Sequence, residues 1–540
     1  MKTKMNRRSF VSGAALGASS ILGGALNKAV AASTKDSASG PVANTSVGKV
    51  RGVVQENKVN AFRGIPYGSP TGGPNRFMPP VKPEAWTGIK DTVEWGPEAP
   101  QGPHTEIPEV AATIPKQTIS EDCLHLNVWT NGLGSQSDAR SRRPVMVWLH
   151  GGGFTSGSGS YTMYDGANMA RKHDVVTVTI NHRLNSFGFL YLAEIGGEKF
   201  ANASNCGILD AVAALEWVRD NIANFGGDPK NVTIFGQSGG AGKVSTLMAM
   251  PSAKGLFHRA IIQSGANVKG VSREDATKTA HLLMEKLGVK TADELQAVPM
   301  DQLVAATLGM RGLRLAPVVD GKTLPSDPFD PTAPALSADI PLLIGSTEFE
   351  VNFFPFTKLD PIDDTELHAA VKQATRAGDA DVDKLIGIYR KGRPNASAID
   401  LSQIIASDGF RAGVITEGER KTVQPAPVYM YYFAWKSPVR DGKLKAFHTL
   451  EIPFVLENVD EAKSMTGSGA DRYSLQEKMS GAWAAFARTG NPSHKGLPNW
   501  PVFKTDQRAT MVFDNQCKVV NDPHGAERLA LAALRPAAQV

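Results

Sequence analysis

The sequence predicts an α/β fold in which a mostly parallel central sheet carries helices on both faces and a helical cap is inserted. Continuous apolar runs at 144–149 and 174–180 are typical of strands buried on both faces of such a sheet. Apolar residues at spacings of three and four over 208–222 predict an amphipathic helix. A further apolar run, 232–235, passes directly into a glycine-rich turn and a helix that reaches Met250. Alternating strands and helices of this kind indicate a parallel α/β sheet.

Later segments extend the same pattern. Helical patterns at about 273–308 and 365–391 predict a cap, made of segments roughly within 270–420. The remaining predicted core elements are strands at 341–344 and 428–435 and a helix at 475–489. We therefore expect residues 45–540 to form a single domain rather than several.

Composition excludes several classes of protein. The 540 residues are 41% hydrophobic and 21% charged, which is typical of a globular chain and not of a disordered one. The net charge of +5 is explained by five of the 58 Lys and Arg residues, which lie in 1–31 where no acid occurs. The rest of the chain balances its 53 acidic residues, so no nucleic-acid partner is predicted.

The N-terminal residues predict export. A basic start, an apolar Gly/Ala-rich run over 11–26 and the small-x-small segment 29–31 are typical of a signal peptide. The pair Arg7-Arg8 resembles a twin-arginine signal. We interpret 1–31 as a twin-arginine-type signal peptide and 32–44 as a linker, and we expect a periplasmic or secreted protein. The alternative is an uncleaved anchor; no membrane span is predicted in the mature chain.

The segment Gly236-Gln237-Ser238-Gly239-Gly240 is the first candidate for chemistry. It has a strand before it and a helix after it, with no residue between, so the turn must lift the Ser238 hydroxyl above the carboxyl edge of the sheet. The helix N-terminus behind Ser238 favours developing negative charge. These features predict Ser238 as a nucleophile.

A second candidate follows the strand 144–149 and reads His150-Gly151-Gly152-Gly153-Phe154. In acyl transfer a carbonyl oxygen becomes negative, and adjacent backbone N–H groups can reach it only where no side chains intervene. We expect Gly152, Gly153 and Gly239 to supply these donors. The phosphate-binding patterns G-x-x-x-x-G-K-[ST] and G-x-G-x-x-G are absent from this loop.

Several motifs, taken together, resemble the type-B carboxylesterase family, which includes cholinesterases and para-nitrobenzyl esterases. The matching segments, in chain order, are 121–128 (EDCLHLNV), 150–154, 181–184 with 188–190, 205–210, 217–222, 225–229, 232–240, 260–265 and 317–321. The resemblance covers the mature chain nearly from end to end. It implies the α/β-hydrolase fold and hydrolysis of carboxylic esters by a serine nucleophile, with no cofactor, no metal and a small-molecule ester as substrate.

The resemblance also supplies the acid and the base. The family's G-x-x-x-x-E turn matches 345–350, which implies Glu350 as the acid, although Val351 replaces the family's next glycine. Glu348 and Asp320 remain alternatives for the acid. The family's H-x-x-E segment matches 448–451, which implies His448 as the base. The order Ser238, Glu350, His448 is the order found in α/β-hydrolases.

Other residues carry finer expectations from the same resemblance. Ser264 resembles a serine that steadies the acid, with a buried structural serine as the alternative. Gln237 replaces the family's glutamate before the nucleophile, which argues against a site for quaternary ammonium substrates. The partner of Cys123 in the family's first disulfide is missing, so Cys123 is predicted to be free. Ion pairs are expected between Arg76 and Glu121 and between Arg183 and Asp210.

Three other activities remain open at this stage. A lipase, or a hydrolase of amides or carbamates, would use the same triad. A non-catalytic binding protein on this fold would lack the serine or its partners, and the sequence retains all of them.

Overall fold

A computed structural model describes residues 39–134 and 142–534. The predicted signal peptide, 1–31, lies outside the described residues, as does 32–38 of the predicted linker. Residues 42–44, which were expected to belong to the linker, lie instead in the first strand, because they pair with residues 49–51 in an antiparallel ladder. From Gly40 onward the chain forms one compact unit.

Fourteen β-strands occur among the described residues. In chain order they are β1 (Val42–Thr45), β2 (Gly48–Arg51), β3 (Val53–Val54), β4 (Asn60–Pro66), β5 (Ile89–Asp91), β6 (His125–Thr130), β7 (Arg143–Leu149), β8 (Val176–Ile180), β9 (Gly227–Gln237), β10 (Arg259–Gln263), β11 (Leu342–Thr347), β12 (Val428–Phe433), β13 (Ala509–Phe513) and β14 (Lys518–Asn521).

The same residues form sixteen α-helices. They are α1 (Pro108–Ala111), α2 (Ala167–His173), α3 (Asn185–Phe189), α4 (Ala193–Gly196), α5 (Cys206–Asn221), α6 (Gly239–Ala249), α7 (Arg273–Leu287), α8 (Ala292–Ala297), α9 (Met300–Leu308), α10 (Asp364–Thr375), α11 (Asp379–Gly392), α12 (Ala398–Lys421), α13 (Ile452–Val455), α14 (Lys463–Thr466), α15 (Asp471–Thr489) and α16 (Gly525–Ala533).

Eleven of the strands form one sheet in the order β14-β13-β12-β11-β10-β9-β7-β8-β6-β4-β3. Neighbours from β13 through β8 are parallel, and the pairs towards both edges are antiparallel. A separate small sheet has the order β1-β2-β5. The predicted fold class, an α/β-hydrolase fold with a mostly parallel sheet, is therefore confirmed.

Strand β7 shows why the central runs are apolar on every residue. Val145, Val147 and Leu149 belong to the hydrophobic cluster on one face of the sheet. Met146 and Trp148, which alternate with them, belong to the cluster on the other face. Successive strand side chains point to opposite faces, so a strand covered on both sides needs apolar residues throughout.

Helix α12 was not predicted as a separate element. It begins at a capping box in which Ser397 and Asp400 satisfy each other's main-chain N–H groups. Its 24 residues include buried polar side chains and glycines, so the apolar periodicity that reveals α5 is weak here. Strands β13 and β14, of five and four residues, were also not predicted; β14 forms the edge of the sheet and β13 lies between it and β12.

The two expected ion pairs are confirmed. Arg183 and Asp210 are completely buried and joined by two side-chain hydrogen bonds, of 2.8 Å and 2.5 Å. Arg76 binds both carboxylate oxygens of Glu121. Cys123 is a buried free thiol, as predicted. No helix within 39–134 or 142–534 combines the length and apolar character that crossing a membrane requires.

Candidate active site

Ser238 lies at the sharp turn between β9 and α6. Its backbone has φ 57° and ψ −124°, a conformation that is strained for a residue with a side chain. The turn is possible because positions 236, 239 and 240 are glycines. A Cβ placed on Gly240 would lie 2.0 Å from the carbonyl oxygen of Leu149 at the end of β7. The tight turn therefore presents the partly exposed Ser238 at the carboxyl edge of the sheet and at the N-terminus of an eleven-residue helix.

The loop after β7 packs directly against this turn. A Cβ placed on Gly151 would lie 3.5 Å from the Cβ of Ser238. Gly152 and Gly153 have φ of 88° and 61°, which glycine adopts without strain. Within the described parts of the chain, the N–H groups of Gly152, Gly153 and Gly239 donate to no protein acceptor. All three are thus available as donors beside the serine.

Glu350 and His448 form a buried pair at the same sheet edge. Glu350 begins a 3₁₀ turn shortly after β11, and His448 lies in the connection that follows β12. His448 Nδ1 lies 2.5 Å from Glu350 Oε2, and Glu350 Oε1 accepts a hydrogen bond from the Thr347 N–H at 2.8 Å. The side chains are 1% and 0% exposed, so the carboxylate can fix the imidazole without competition from water.

The second imidazole nitrogen of His448 faces the turn that carries the serine. The side-chain nitrogen of Gln237 lies 3.1 Å from His448 Nε2. Among the hydrogen bonds of the described residues, none joins Ser238 to His448. Catalytic contacts in unliganded sites often tighten only with substrate bound. In this structure the partner of His448 Nε2 is therefore the Gln237 amide and not Ser238. The sequence did not predict this contact.

Glu451 is a second buried acid close to this pair. It is completely buried, and burial, followed by the charge of Glu350, raises its pKa to about 8. Burial thus favours the protonated form of Glu451. Ser264, also completely buried, shares the Thr347 N–H with Glu350 at 3.3 Å. Ser264 thus lies beside the acid, where the resemblance suggested it.

The two alternative acids lie elsewhere. Glu348 is mostly buried and forms an ion pair with Lys436 at 3.7 Å; burial raises the pKa of Glu348. Asp320 accepts main-chain hydrogen bonds from Lys322, Thr323 and Leu324 and closes a local turn. Neither carboxylate has a hydrogen bond to His448 in the described residues.

Aromatic rings surround His448. The ring centroids of Phe353, Phe354 and Phe410 lie 5.4 Å, 5.8 Å and 5.3 Å from that of the imidazole. Phe356, which is 80% exposed, stacks on Phe354 at 5.3 Å. The sequence did not assign these residues, because 353–356 follows Glu350 in an irregular segment and Phe410 lies on the unpredicted helix α12. The wall beside the base is therefore apolar.

The described residues contain no candidate metal site. In the part of the chain that the structure describes, no group of three or more His, Cys, Asp and Glu residues is arranged to hold a metal ion.

Comparison with known proteins agrees with this geometry. Residues 39–531 match the carboxylesterase family model. The chain is 36% identical over 502 residues to the para-nitrobenzyl esterase of Bacillus subtilis, covering 91% of this chain and 98% of that one. It is 34% identical to the phenmedipham hydrolase of Pseudarthrobacter oxydans, covering 89% and 97%.

Solved structures give the same result. A carboxylesterase from Geobacillus stearothermophilus superposes with a TM-score of 0.79 at 37% identity, covering 91% of this chain and 99% of that one. An esterase from Clostridium hathewayi that can hydrolyse aliphatic aromatic polyesters has a TM-score of 0.77 at 33% identity, covering 92% and 98%. The chain belongs to the carboxylesterase family and is a serine hydrolase of carboxylic esters.

Proposed function

We propose that Ser238, His448 and Glu350 are the catalytic triad of this esterase and that Gly152, Gly153 and Gly239 form its oxyanion hole. The observation that carries the proposal is the buried contact of 2.5 Å between Glu350 and His448. It leaves Nε2 of the imidazole facing the turn that holds Ser238. Ser264 lies next to the acid, since its Oγ and Glu350 Oε1 both accept from the Thr347 N–H group, and is assigned a role in holding this turn in place.

The reaction proceeds in two steps. His448 accepts the proton of Ser238 as the serine oxygen attacks the ester carbonyl carbon, and the N–H groups of the oxyanion hole stabilise the negative oxygen. Glu350 keeps the proton of the neutral imidazole on Nδ1 and stabilises the imidazolium. The protonated His448 then gives its proton to the leaving alcohol. Water repeats the sequence on the acyl-enzyme, releasing the carboxylic acid and free Ser238.

The substrates that this site favours are uncharged esters with an aromatic group. The proposal is supported by the phenylalanine rings around His448 and by the neutral amide of Gln237, which supplies no counter-charge for a cationic group. The name of the para-nitrobenzyl esterase, 36% identical, points in the same direction.

Substitution of the serine tests the triad. We expect Ser238→Ala to abolish turnover of p-nitrophenyl butyrate above the solvent rate, with an unchanged circular dichroism spectrum. A fluorophosphonate should add one mass increment to the wild-type peptide that contains Ser238 and none to the variant. Turnover retained by the variant, or labelling at another serine, would refute the assignment.

Export is a separate proposal. We propose that residues 1–31 direct the protein through a twin-arginine pathway to the periplasm, on the basis of Arg7-Arg8 and the apolar run behind them. In a bacterial host with that pathway, fractionation should recover the wild-type esterase from the periplasm. Replacement of both arginines by lysine should leave the esterase in the cytoplasm; unchanged periplasmic recovery would refute this route.

A further inference from the structure

A buried lysine lies behind the nucleophile. Lys243 is on helix α6, five residues after Ser238, and its side chain is 0% exposed. Its ammonium donates hydrogen bonds to the carbonyl oxygens of His150, at 3.0 Å, and Gly153, at 2.8 Å. Among the described ion pairs, none joins Lys243 to a carboxylate. Burial of a cation without an acid is costly, so its two carbonyl contacts call for a specific explanation.

The glycine loop is defined here as residues 150–153. Lys243 binds the carbonyls of its first and last residues, His150 and Gly153. Between them, the Gly151 carbonyl lies 2.8 Å from Nδ1 of His150. The Gly152 carbonyl accepts from the main-chain N–H of Ser156 at 3.0 Å. All four consecutive carbonyls of this loop are therefore held by a donor.

Fixing these carbonyls also fixes the direction of the N–H groups. A trans peptide is planar, so its C=O and the next residue's N–H point in opposite directions. The Gly151 carbonyl thus sets the direction of the Gly152 N–H, and the Gly152 carbonyl sets that of the Gly153 N–H. Lys243 anchors the loop on both sides of these two peptide groups, through His150 and Gly153.

The residue after the nucleophile makes room for this arrangement. A Cβ placed on Gly239 would lie 2.0 Å from the Gly153 carbonyl oxygen. The glycine therefore allows the Gly153 carbonyl to lie over the first turn of α6, where Lys243 reaches it. Alanine at position 239 would force the loop away.

The hydrogen bonds of Lys243 to the loop do not depend on its charge. Burial lowers the pKa of Lys243 to about 7, and its nitrogen has at least two N–H donors whether it is protonated or neutral, enough for both carbonyls. The rings of His150 and His182 stack with centroids 4.7 Å apart, and both pKa values are lowered, first by burial and then by the Lys243 charge. The neutral His150 can then carry its proton on Nδ1 and donate to the Gly151 carbonyl.

We propose that Lys243 is a positioning residue of the oxyanion loop: by donating to the carbonyls of His150 and Gly153, its side-chain nitrogen holds the Gly152 and Gly153 N–H groups towards the oxygen that becomes negative. The inference rests on the triad proposed above. Lys243 contacts no reacting atom in this role and acts through the loop.

The chain offers a matched control. Lys421 is also 0% exposed and donates to two main-chain carbonyls, those of Ser337 at 2.8 Å and Ala338 at 3.1 Å. It lies at the C-terminal end of α12, away from the glycine loop. Lys243→Met and Lys421→Met each replace a buried ammonium with an apolar chain of similar length. Both variants should lose thermal stability.

Kinetics should separate the two variants. We expect Lys243→Met to lower kcat for p-nitrophenyl butyrate about 10²-fold, since loss of one oxyanion donor costs about 10²–10³, with KM changed less than about threefold. Its affinity for an aryl trifluoromethyl ketone, which forms an oxyanion on the serine, should fall by a similar factor. Lys421→Met should keep kcat and inhibitor affinity within about twofold of the wild type.

The outcomes distinguish this inference from the triad itself. If Lys243→Met matches Lys421→Met in kcat and in ketone affinity, the positioning role is wrong, while inactivity of Ser238→Ala would still support the triad. If Ser238→Ala remains active, the triad fails first. Should Lys243→Met not fold, Lys243→Gln, which keeps a polar end but removes the charge, is tested with the same measurements and the same criteria.

Discussion

The sharpest test of the site compares two glutamates that lie two residues apart. In Glu350→Gln, the Thr347 N–H, which donates to Oε1 at 2.8 Å, will select the orientation that presents the amide oxygen to it. The amide NH₂ then faces His448 Nδ1, at the position that Oε2 occupies 2.5 Å away. An NH₂ group donates, so the imidazole proton must move to Nε2.

That change disables the base. A proton on Nε2 leaves His448 unable to accept the proton of Ser238, and the imidazolium also loses its counter-charge. The equivalent change of acid to amide in a serine protease triad lowers kcat about 10⁴-fold. We expect a similar loss for Glu350→Gln, about 5.5 kcal/mol at about 1.4 kcal/mol per tenfold. The assay is kcat/KM for p-nitrophenyl butyrate, with Ser238→Ala as the baseline.

Glu348→Gln is the matched control. Glu348 is mostly buried, with 11% of its side chain exposed against 0% for Glu350, and it forms an ion pair with Lys436 at 3.7 Å; the described residues give it no hydrogen bond to His448. Its substitution should change kcat/KM less than about threefold. The reasoning is refuted if Glu350→Gln keeps more than a tenth of the wild-type rate while folded, or if Glu348→Gln is the more damaging change.

Three further predictions concern the buried residues Glu417, Asp210 and Gln237. Burial raises the pKa of Glu417 to about 8, so the folded protein holds a proton that the unfolded chain releases; stability should fall as pH rises from about 4.5 to 8. Glu417→Gln should flatten that slope in Tm measured between pH 5 and 8. Asp210→Asn leaves the Arg183 guanidinium buried without its counter-ion and should lower the free energy of unfolding by about 3–5 kcal/mol. An unchanged midpoint of urea denaturation would contradict this. Gln237→Glu places a carboxylate beside the base and should lower KM for a cationic ester about threefold to tenfold relative to an uncharged isostere; equal KM changes for both esters would contradict this.

Local patterns predicted the centre of the fold well. The run 144–149 corresponds to β7, the periodicity of 208–222 to α5, and the run 232–235 to the interior of β9. In these places the sequence records how each element is buried: a strand covered on both faces is apolar at every residue, and a helix covered on one face is apolar at every third or fourth residue. Helix α12 and the edge strand β14 leave a weaker signal, since polar groups interrupt the apolar pattern of α12 and β14 has only four residues.

Some functional residues could be predicted from local sequence, and others could not. Ser238 and the glycine loop can be read locally, because a sharp turn and a side-chain-free loop require particular neighbours in sequence. Glu350 and His448 came from the family resemblance, since no local pattern connects residues that are 98 positions apart. The structure gives their separation, but their roles stay predictions until they are tested.

The sequence by itself determined the fold class, the strand–turn–helix at Ser238, the glycine loop and the family. Backbone sterics and the burial of alternating side chains act over a few residues, so the sequence records them directly. Only the tertiary structure decided which side chains meet at the sheet edge. Gln237 contacts His448, three phenylalanines enclose that ring, and Lys243 binds the loop across 90 residues of chain, because the parallel strands bring their carboxyl ends to one edge.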